Sequence, residues 1–174
     1  KDKKLIVLDP ITTDLAKLAD YHIRLRPGTN VAVLNMMLYF IIKSKLYKED
    51  FILSRTEGFE NFVKGIEKLD IDHLAKVAGV DKQQVKEAAI AYATAKNSME
   101  FHGLGVTEQE QGSKTVMLIA DLAMITGNIG RKGVGVNPLR GQNNVQGAAD
   151  MGCQPHQGAG YFPVADKKIQ DFYT

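Results

Sequence analysis

Leu5-Ile6-Val7-Leu8 is an unbroken apolar run that stops at Asp9-Pro10. That pattern predicts a strand buried on both faces in a parallel sheet. Thr12 or Thr13 can cap a following helix, with Leu15, Leu18 and Ala19 on one face. Tyr21 to Arg26 alternates apolar and polar and reads as a second short strand. Pro27-Gly28-Thr29-Asn30 is a turn that feeds the oily stretch Val31 to Ile42, interrupted only by Asn35. This stretch falls well short of the ~20 residues that cross a bilayer, so it reads as a buried helix. Strand, helix, strand and helix in that order predict an α/β layered domain.

Residues 49–55, 59–69 and 71–78 carry helical spacing, and Gly79 is placed to end the last of them. Asp81 stands three residues before Gln84, a capping-box-like start. The helix it opens carries Val85, Ala88, Ala89 and Tyr92 on one stripe, which is a core face. Ser98 to Val106 reads as another inner strand, and 114–126 as an apolar helix ended by Gly127. From Asn128 onward no periodicity survives. The expected fold is α/β, a Rossmann-like layered domain with a mainly parallel sheet flanked by helices, plus a long glycine-rich C-terminal loop region. Residues 1–136 form the scaffold and 137–174 the loop segment.

Composition sharpens this division. Twelve of the 16 glycines follow position 100, while 30 of the 42 charged residues lie within the first hundred. A net charge of +2 gives no basic face for nucleic acid. One cysteine, Cys153, excludes a disulfide framework, and four scattered histidines offer no zinc-finger spacing. The N-terminal apolar run is too short for a signal-peptide core. With no initiator methionine, the chain reads as an internal piece of a longer one.

Three segments carry candidate chemistry. Gly103-Leu104-Gly105-Val106-Thr107-Glu108 follows a strand, as a dinucleotide fingerprint would. Its third glycine position is Glu108, and no acid closes a second strand ~20 residues on, so that fingerprint fails. Glycines there still let a backbone approach a ligand closely, or simply make a turn. Asp9 ends a buried strand, where it either contacts a ribose or base or caps its own turn. Asn30 either reads a nucleobase edge or caps the helix from Val31. The third segment, Asn137 to Gly147, packs five amides and one arginine into 11 residues. Amides offer paired donors and acceptors, and a guanidinium offers a fixed fork for a carboxylate or phosphate. This composition suits the lining of a polar cavity.

The run Gly135-Val136-Asn137-Pro138-Leu139-Arg140-Gly141-Gln142-Asn143-Asn144-Val145-Gln146-Gly147-Ala148-Ala149-Asp150-Met151-Gly152 resembles the corresponding loop of formate dehydrogenase catalytic subunits in the molybdopterin oxidoreductase family. Leu5–Pro10, Arg26–Asn30, Gly103–Gly112 and Leu122–Gly130 are similar to that family in the same order. The resemblance implies two molybdopterin guanine dinucleotides holding molybdenum or tungsten, with formate as substrate and electron-transfer subunits as partners. It implies that Arg140 orients formate. Gly103, Leu104, Gly105, Glu108, Gly141 and Gln142 fall at cofactor-contacting positions, and Asp9, Gly28 and Asn30 at the guanosine end. Ile11 replaces an arginine often found there, and Glu108 replaces the family's usual glutamine. A negative Glu108 beside pyrophosphate is unfavourable unless it is paired.

The family's metal-ligating cysteine or selenocysteine, with its adjacent histidine, and its 4Fe-4S cysteine motif would lie in segments other than these residues. Cys153 is 13 residues beyond Arg140, and His156 is its only metal-compatible neighbour, so no metal ligand is assigned. The expectation is therefore an internal fragment of a cytoplasmic formate dehydrogenase, inactive by itself; the alternatives are another molybdopterin oxidoreductase of nitrate reductase type, or a non-catalytic guanine-nucleotide-binding module.

Overall fold

The computed structural model describes residues 3–174. The chain divides into two compact units, one running to Asn137 and the other from Pro138 to Thr174.

In the first unit, β1 (Ile6–Leu8) pairs in parallel with β2 (Tyr21–Ile23), Ile6 lying opposite Tyr21 and Leu8 opposite Ile23. β1 is half-buried along its length, not enclosed on both faces. A two-stranded sheet leaves an edge uncovered, which is why the apolar run does not vanish into a layer. Between the strands, α1 (Asp14–Lys17) is capped by Thr13, whose hydroxyl accepts from Ala16 N at 3.2 Å. Here Ala16 is the buried residue. Leu15 and Leu18, expected on the inner face, are more than half exposed because a four-residue helix has no second turn to align them.

The core is built around α2 (Asn30–Lys43). Val33, Met36, Leu38 and Ile41 are wholly shielded from solvent, and apolar residues occupy nearly every side of the helix, the signature of a central helix rather than a surface one. It packs against α4 (Phe59–Ile66), α5 (Ile71–Ala78), α6 (Lys82–Thr94) and α8 (Gly112–Ile125). The short α3 (Glu49–Arg55) packs on α8. The predicted stripe Val85, Ala88, Ala89 and Tyr92 is buried in that core. Gly79 ends α5, and Asp81 caps α6 by accepting from Gln83 N at 2.8 Å.

β3 (Met99–His102) pairs with β4 (Gly135–Pro138) in a second small sheet. β3 stops four residues earlier than the sequence pattern predicts. Gly103 turns the chain into α7 (Leu104–Thr107), closed by Val106 N and Glu108 N donating to Gly103 O and Leu104 O. The architecture is mixed α/β with small sheets, one of them parallel.

The second unit is not a structureless loop. It holds α9 (Val145–Asp150), a 3-10 turn at Ala159–Tyr161 and α10 (Lys167–Tyr173). Asn144 caps α9, accepting from Gly147 N at 3.2 Å, and Asp166 caps α10, accepting from Lys168 N at 2.9 Å. These polar residues close helices that period-reading passes over because each helix is only two turns or shorter. Gly152 shows what one of the tail's glycines does. Its φ is +86°, and a Cβ there would sit 2.5 Å from Ala159 N, so the chain folds tightly onto itself at that point.

Candidate functional site

The carboxyl ends of β1 and β2 carry the first group of candidates. Asp9 uses Oδ1 to accept from Ile11 N at 2.7 Å, closing its own turn. Its backbone N donates to Ile23 O at 3.3 Å, and its carbonyl accepts from His22 Nε2 at 3.0 Å. Arg24 Nε donates to Pro10 O at 3.1 Å. The Asp9–Ile11 turn is therefore fixed against β2, while Oδ2 of Asp9 has no hydrogen-bond partner among the described residues.

Past β2, Leu25 is buried, and Arg26 ties the chain to the end of α5 through Lys76 O and Val77 O at 3.0 and 3.2 Å. Gly28 then takes φ +81°, with open space where a side chain would stand, and Asn30 begins α2. No side chain caps this helix start. Asn30 instead donates through Nδ2 to Gln109 Oε1 at 3.3 Å, and Gln109 Nε2 donates to Gly105 O at 2.6 Å. Asn30 and the Gly103–Glu108 turn are thereby brought together, and Gln109, which sequence reasoning passed over, is the link. Its only signal was the Glu108-Gln109-Glu110-Gln111 run. Glu108 itself points to solvent and pairs with nothing among the described residues.

Two sets of groups result: Asp9, with one free carboxylate oxygen on its own turn, and the Asn30–Gln109 amide pair beside Gly105 and an uncapped helix start. Uncapped N–H groups favour anionic oxygen, and a carboxylate and an amide pair each complement ribose hydroxyls or a guanine edge. The donor set fits the nucleotide end of a dinucleotide cofactor.

Beneath β3 lies a buried polar cluster that the pattern did not reveal. Asn128, 1 % exposed, accepts at Oδ1 from Ser98 N (3.1 Å) and Arg131 Nη2 (3.1 Å), and donates to Thr126 Oγ1 at 2.9 Å. Tyr92 donates its hydroxyl to Glu100 Oε1. Glu100 Oε2 and His102 Nδ1 are buried without partners. Burial pushes the Glu100 carboxyl up to about 7, against the hydrogen bond from Tyr92, and pushes the His102 imidazole below its usual range. Burial also raises the Tyr92 phenol, assisted by the charge of Glu100. A shallow depression of about 640 Å³, lined by Tyr47, Phe51, Arg55, Gly127 and Arg131 among others, contains none of the candidate residues.

In the second unit, Arg140, Gly141 and Gln142 are exposed, and none of them makes a hydrogen bond or ion pair among the described residues. Asp150 accepts from the Tyr161 hydroxyl and from Gln146 Nε2, the latter at 3.0 Å, and Gln146 Nε2 also donates to the Tyr161 oxygen at 2.8 Å. Cys153 is a free, exposed thiol and His156 is exposed. Among the described residues no three metal-ligating side chains converge, and no helix is long and apolar enough to cross a membrane.

A family model described as molybdopterin oxidoreductase matches residues 1–167. The chain belongs to the molybdopterin oxidoreductase family. Membership implies a molybdopterin cofactor with molybdenum or tungsten. The chain is 48 % identical over 168 residues to the F420-dependent formate dehydrogenase subunit alpha of Methanocaldococcus jannaschii, covering 95 % of the chain and 25 % of that protein. It is 46 % identical over 163 residues to formate dehydrogenase H of Escherichia coli, covering 94 % and 23 %. Among solved structures it resembles the acetylene hydratase of Pelobacter acetylenicus, with a TM-score of 0.70 at 29 % identity over 75 % of this chain and 18 % of that one. The chain spans about a quarter of the length of the curated relatives it matches.

Proposed function

We propose that this molybdopterin oxidoreductase chain is part of a formate dehydrogenase catalytic subunit, which acts in the cytoplasm. Within the longer chain it binds two molybdopterin guanine dinucleotides and passes electrons through a 4Fe-4S cluster to partner subunits. The observation that carries the reading is an identity of 46–48 % to two formate dehydrogenase chains across at least 94 % of this sequence. The acetylene hydratase likeness is a reminder that this fold hosts other chemistry, so the substrate rests on that identity and on Arg140.

When bound, the cofactor supplies a two-electron acceptor, so that formate yields carbon dioxide, one proton and two electrons. The chain's own residues bind and orient. Asp9, Gly28 and Asn30 take the guanosine end, Asp9 through its free Oδ2. Gly103, Leu104 and Gly105 bring backbone close to the cofactor. Gly141 and Gln142, taken by themselves, offer the second unit's own cofactor contacts. Glu108 carries a charge that repels phosphate. Its neighbour Gln109, already bridging Asn30 and Gly105, provides the neutral amide on that side. Arg140 holds the formate carboxylate through its guanidinium fork.

Isothermal titration of the chain with GMP tests the nucleotide assignment. Asp9→Ala weakens binding about tenfold or more, the scale of one charged hydrogen-bonding group, while Arg140→Ala leaves it unchanged. Equal binding by wild type and Asp9→Ala overturns it. In the longer enzyme Arg140→Ala abolishes formate turnover, and the isolated 174-residue chain shows none.

A further inference from the structure

Asn30, Gln109 and Gly105 form a chain of hydrogen bonds whose direction is set at one end. Gly105 O is a backbone carbonyl and can only accept, so the arm of the Gln109 amide that meets it at 2.6 Å is Nε2, the donor. The other arm, Oε1, then faces Asn30 and can only accept. Asn30 meets it with Nδ2, at 3.3 Å. Oδ1 is left as the free arm of the Asn30 amide, without a partner among the described residues. An untethered asparagine amide turns over at little cost, because its oxygen and nitrogen arms are nearly the same shape. Here a carbonyl of α7 decides which way round it stands.

Backbone holds both ends of this chain. Glu108 N donates to Leu104 O at 2.8 Å, closing α7, and Gln109 O accepts from Gly112 N at 2.8 Å, which turns the chain into α8. A Cβ on Gly112 would collide with Thr107 O, so α8 starts hard against the end of α7. On the other side, Asn30 is the first residue of α2, and Thr29 before it donates its hydroxyl to Arg26 O at 2.6 Å instead of capping the helix. Only the exposed side chain of Gln109 joins the two. Its replacement therefore alters the link without opening the core.

We propose that Gln109 is a positioning residue that fixes the Asn30 amide with its oxygen as the arm open to a ligand, and thereby selects the base at the nucleotide end. The inference rests on the reading of Asn30 as a residue that takes the guanosine end. A free Oδ1 accepts, so it suits a base edge that donates. Guanine and hypoxanthine carry a hydrogen on N1. Adenine has a lone pair there, which meets Oδ1 as acceptor against acceptor. Without Gln109 the amide turns its Nδ2 toward adenine N1 and serves either base. The link thus discriminates by what it repels as much as by what it binds.

The test is isothermal titration of this chain with GMP, IMP and AMP. Wild type binds GMP and IMP about tenfold or more tighter than AMP, the scale of one mismatched hydrogen-bonding pair. Gln109→Met keeps the reach of the side chain and loses both hydrogen bonds. It brings GMP and AMP to within about threefold of one another, GMP weakening and AMP tightening relative to wild type. Gln109→Glu keeps an acceptor for Asn30 Nδ2, so GMP stays about tenfold ahead of AMP although the added charge weakens both. A merely structural role for Gln109 weakens the three nucleotides in proportion and leaves their ratio as it was. An unchanged ratio in Gln109→Met, a lost preference in Gln109→Glu, or a wild type that binds AMP as well as GMP overturns the proposal. Asn30→Ala is the control. If it leaves GMP binding unchanged, the reading of Asn30 fails and this inference falls with it. If it weakens GMP while Gln109→Met keeps the wild-type ratio, Asn30 stands and only the role of Gln109 is refuted.

Discussion

Glu100 should make the chain less stable as the pH rises through neutrality. Its carboxyl lies beneath β3 with Oε1 bonded to Tyr92 and Oε2 buried without a partner, and burial carries its pKa from an ordinary 4.5 to about 7. The folded state therefore holds this proton more tightly than the unfolded state. Between pH 4.5 and 7 the folded chain binds more protons, so stability falls with rising pH across that window. The stabilisation is complete below 4.5 and gone above 7. At about 1.4 kcal/mol for each tenfold in proton affinity, the whole effect is about 3 kcal/mol. The assay is urea unfolding of wild type and Glu100→Gln at pH 5, 6, 7 and 8. Relative to the glutamine variant, wild type loses about 2 kcal/mol or more between pH 5 and 8. His102 contributes with opposite sign, since burial keeps its imidazole neutral in the folded state. Both proteins carry it, so it drops out of the difference. The hydrogen bond from Tyr92 opposes the rise, so Tyr92→Phe moves the window to higher pH. A pH-independent difference between wild type and Glu100→Gln, or one that grows in favour of wild type above pH 7, refutes the assignment of a buried neutral acid.

Other predictions follow from single contacts. Asn128→Ala strips a fully buried amide from Ser98 N, Arg131 and Thr126 and costs about 2–3 kcal/mol, read by calorimetry as a melting temperature lower by roughly 5–10 °C. Gly152→Ala forces a Cβ against Ala159 N at a backbone angle of φ +86°, so amide hydrogen exchange at Gly158 and Tyr161 accelerates while that of α2 does not change. Asn30→Ala and Gln109→Ala each weaken GMP binding. Because the two share one hydrogen-bonded link, the double variant loses clearly less than the two losses added together, as titration calorimetry would read.

Much of the fold was legible because it depends on local pattern. The run from Val31 to Ile42 announces α2, since a helix apolar on nearly all sides has nowhere to sit but the centre. Thr13, Asp81 and Gly79 mark helix ends through chemistry confined to one turn. The end of β3 was not legible. Apolar spacing continues through Leu104 and Val106, and only the bond from Val106 N back to Gly103 O turns that stretch into a helical turn. Leu15 and Leu18 failed for a different reason: the helical face they define exists, but α1 is too short for it to reach the core.

The candidate site divides along the same line. Asp9 is visible as an acid closing an apolar strand, and of the two roles open to it the structure shows the turn-closing one, with the second oxygen left without a partner among the described residues. The link from Asn30 to Gln109 was invisible because it joins residues 79 apart, and no local rule connects them. By composition the amide-rich run from Asn137 to Gly147 suits one ligand-lining surface, whereas the structure separates its members. Asn137 is committed to Glu100 O and Gly135 O, Asn144 to capping α9, and Gln146 to Asp150 and Tyr161. Gln142 and Asn143 have no such commitment among the described residues, and neither has Arg140 beside them. Amide density alone therefore overstates the ligand-facing set, because the same side chains that suit a polar cavity also suit a helix cap. What singles out Arg140, Gln142 and Asn143 is that the fold leaves their hydrogen-bonding capacity unspent.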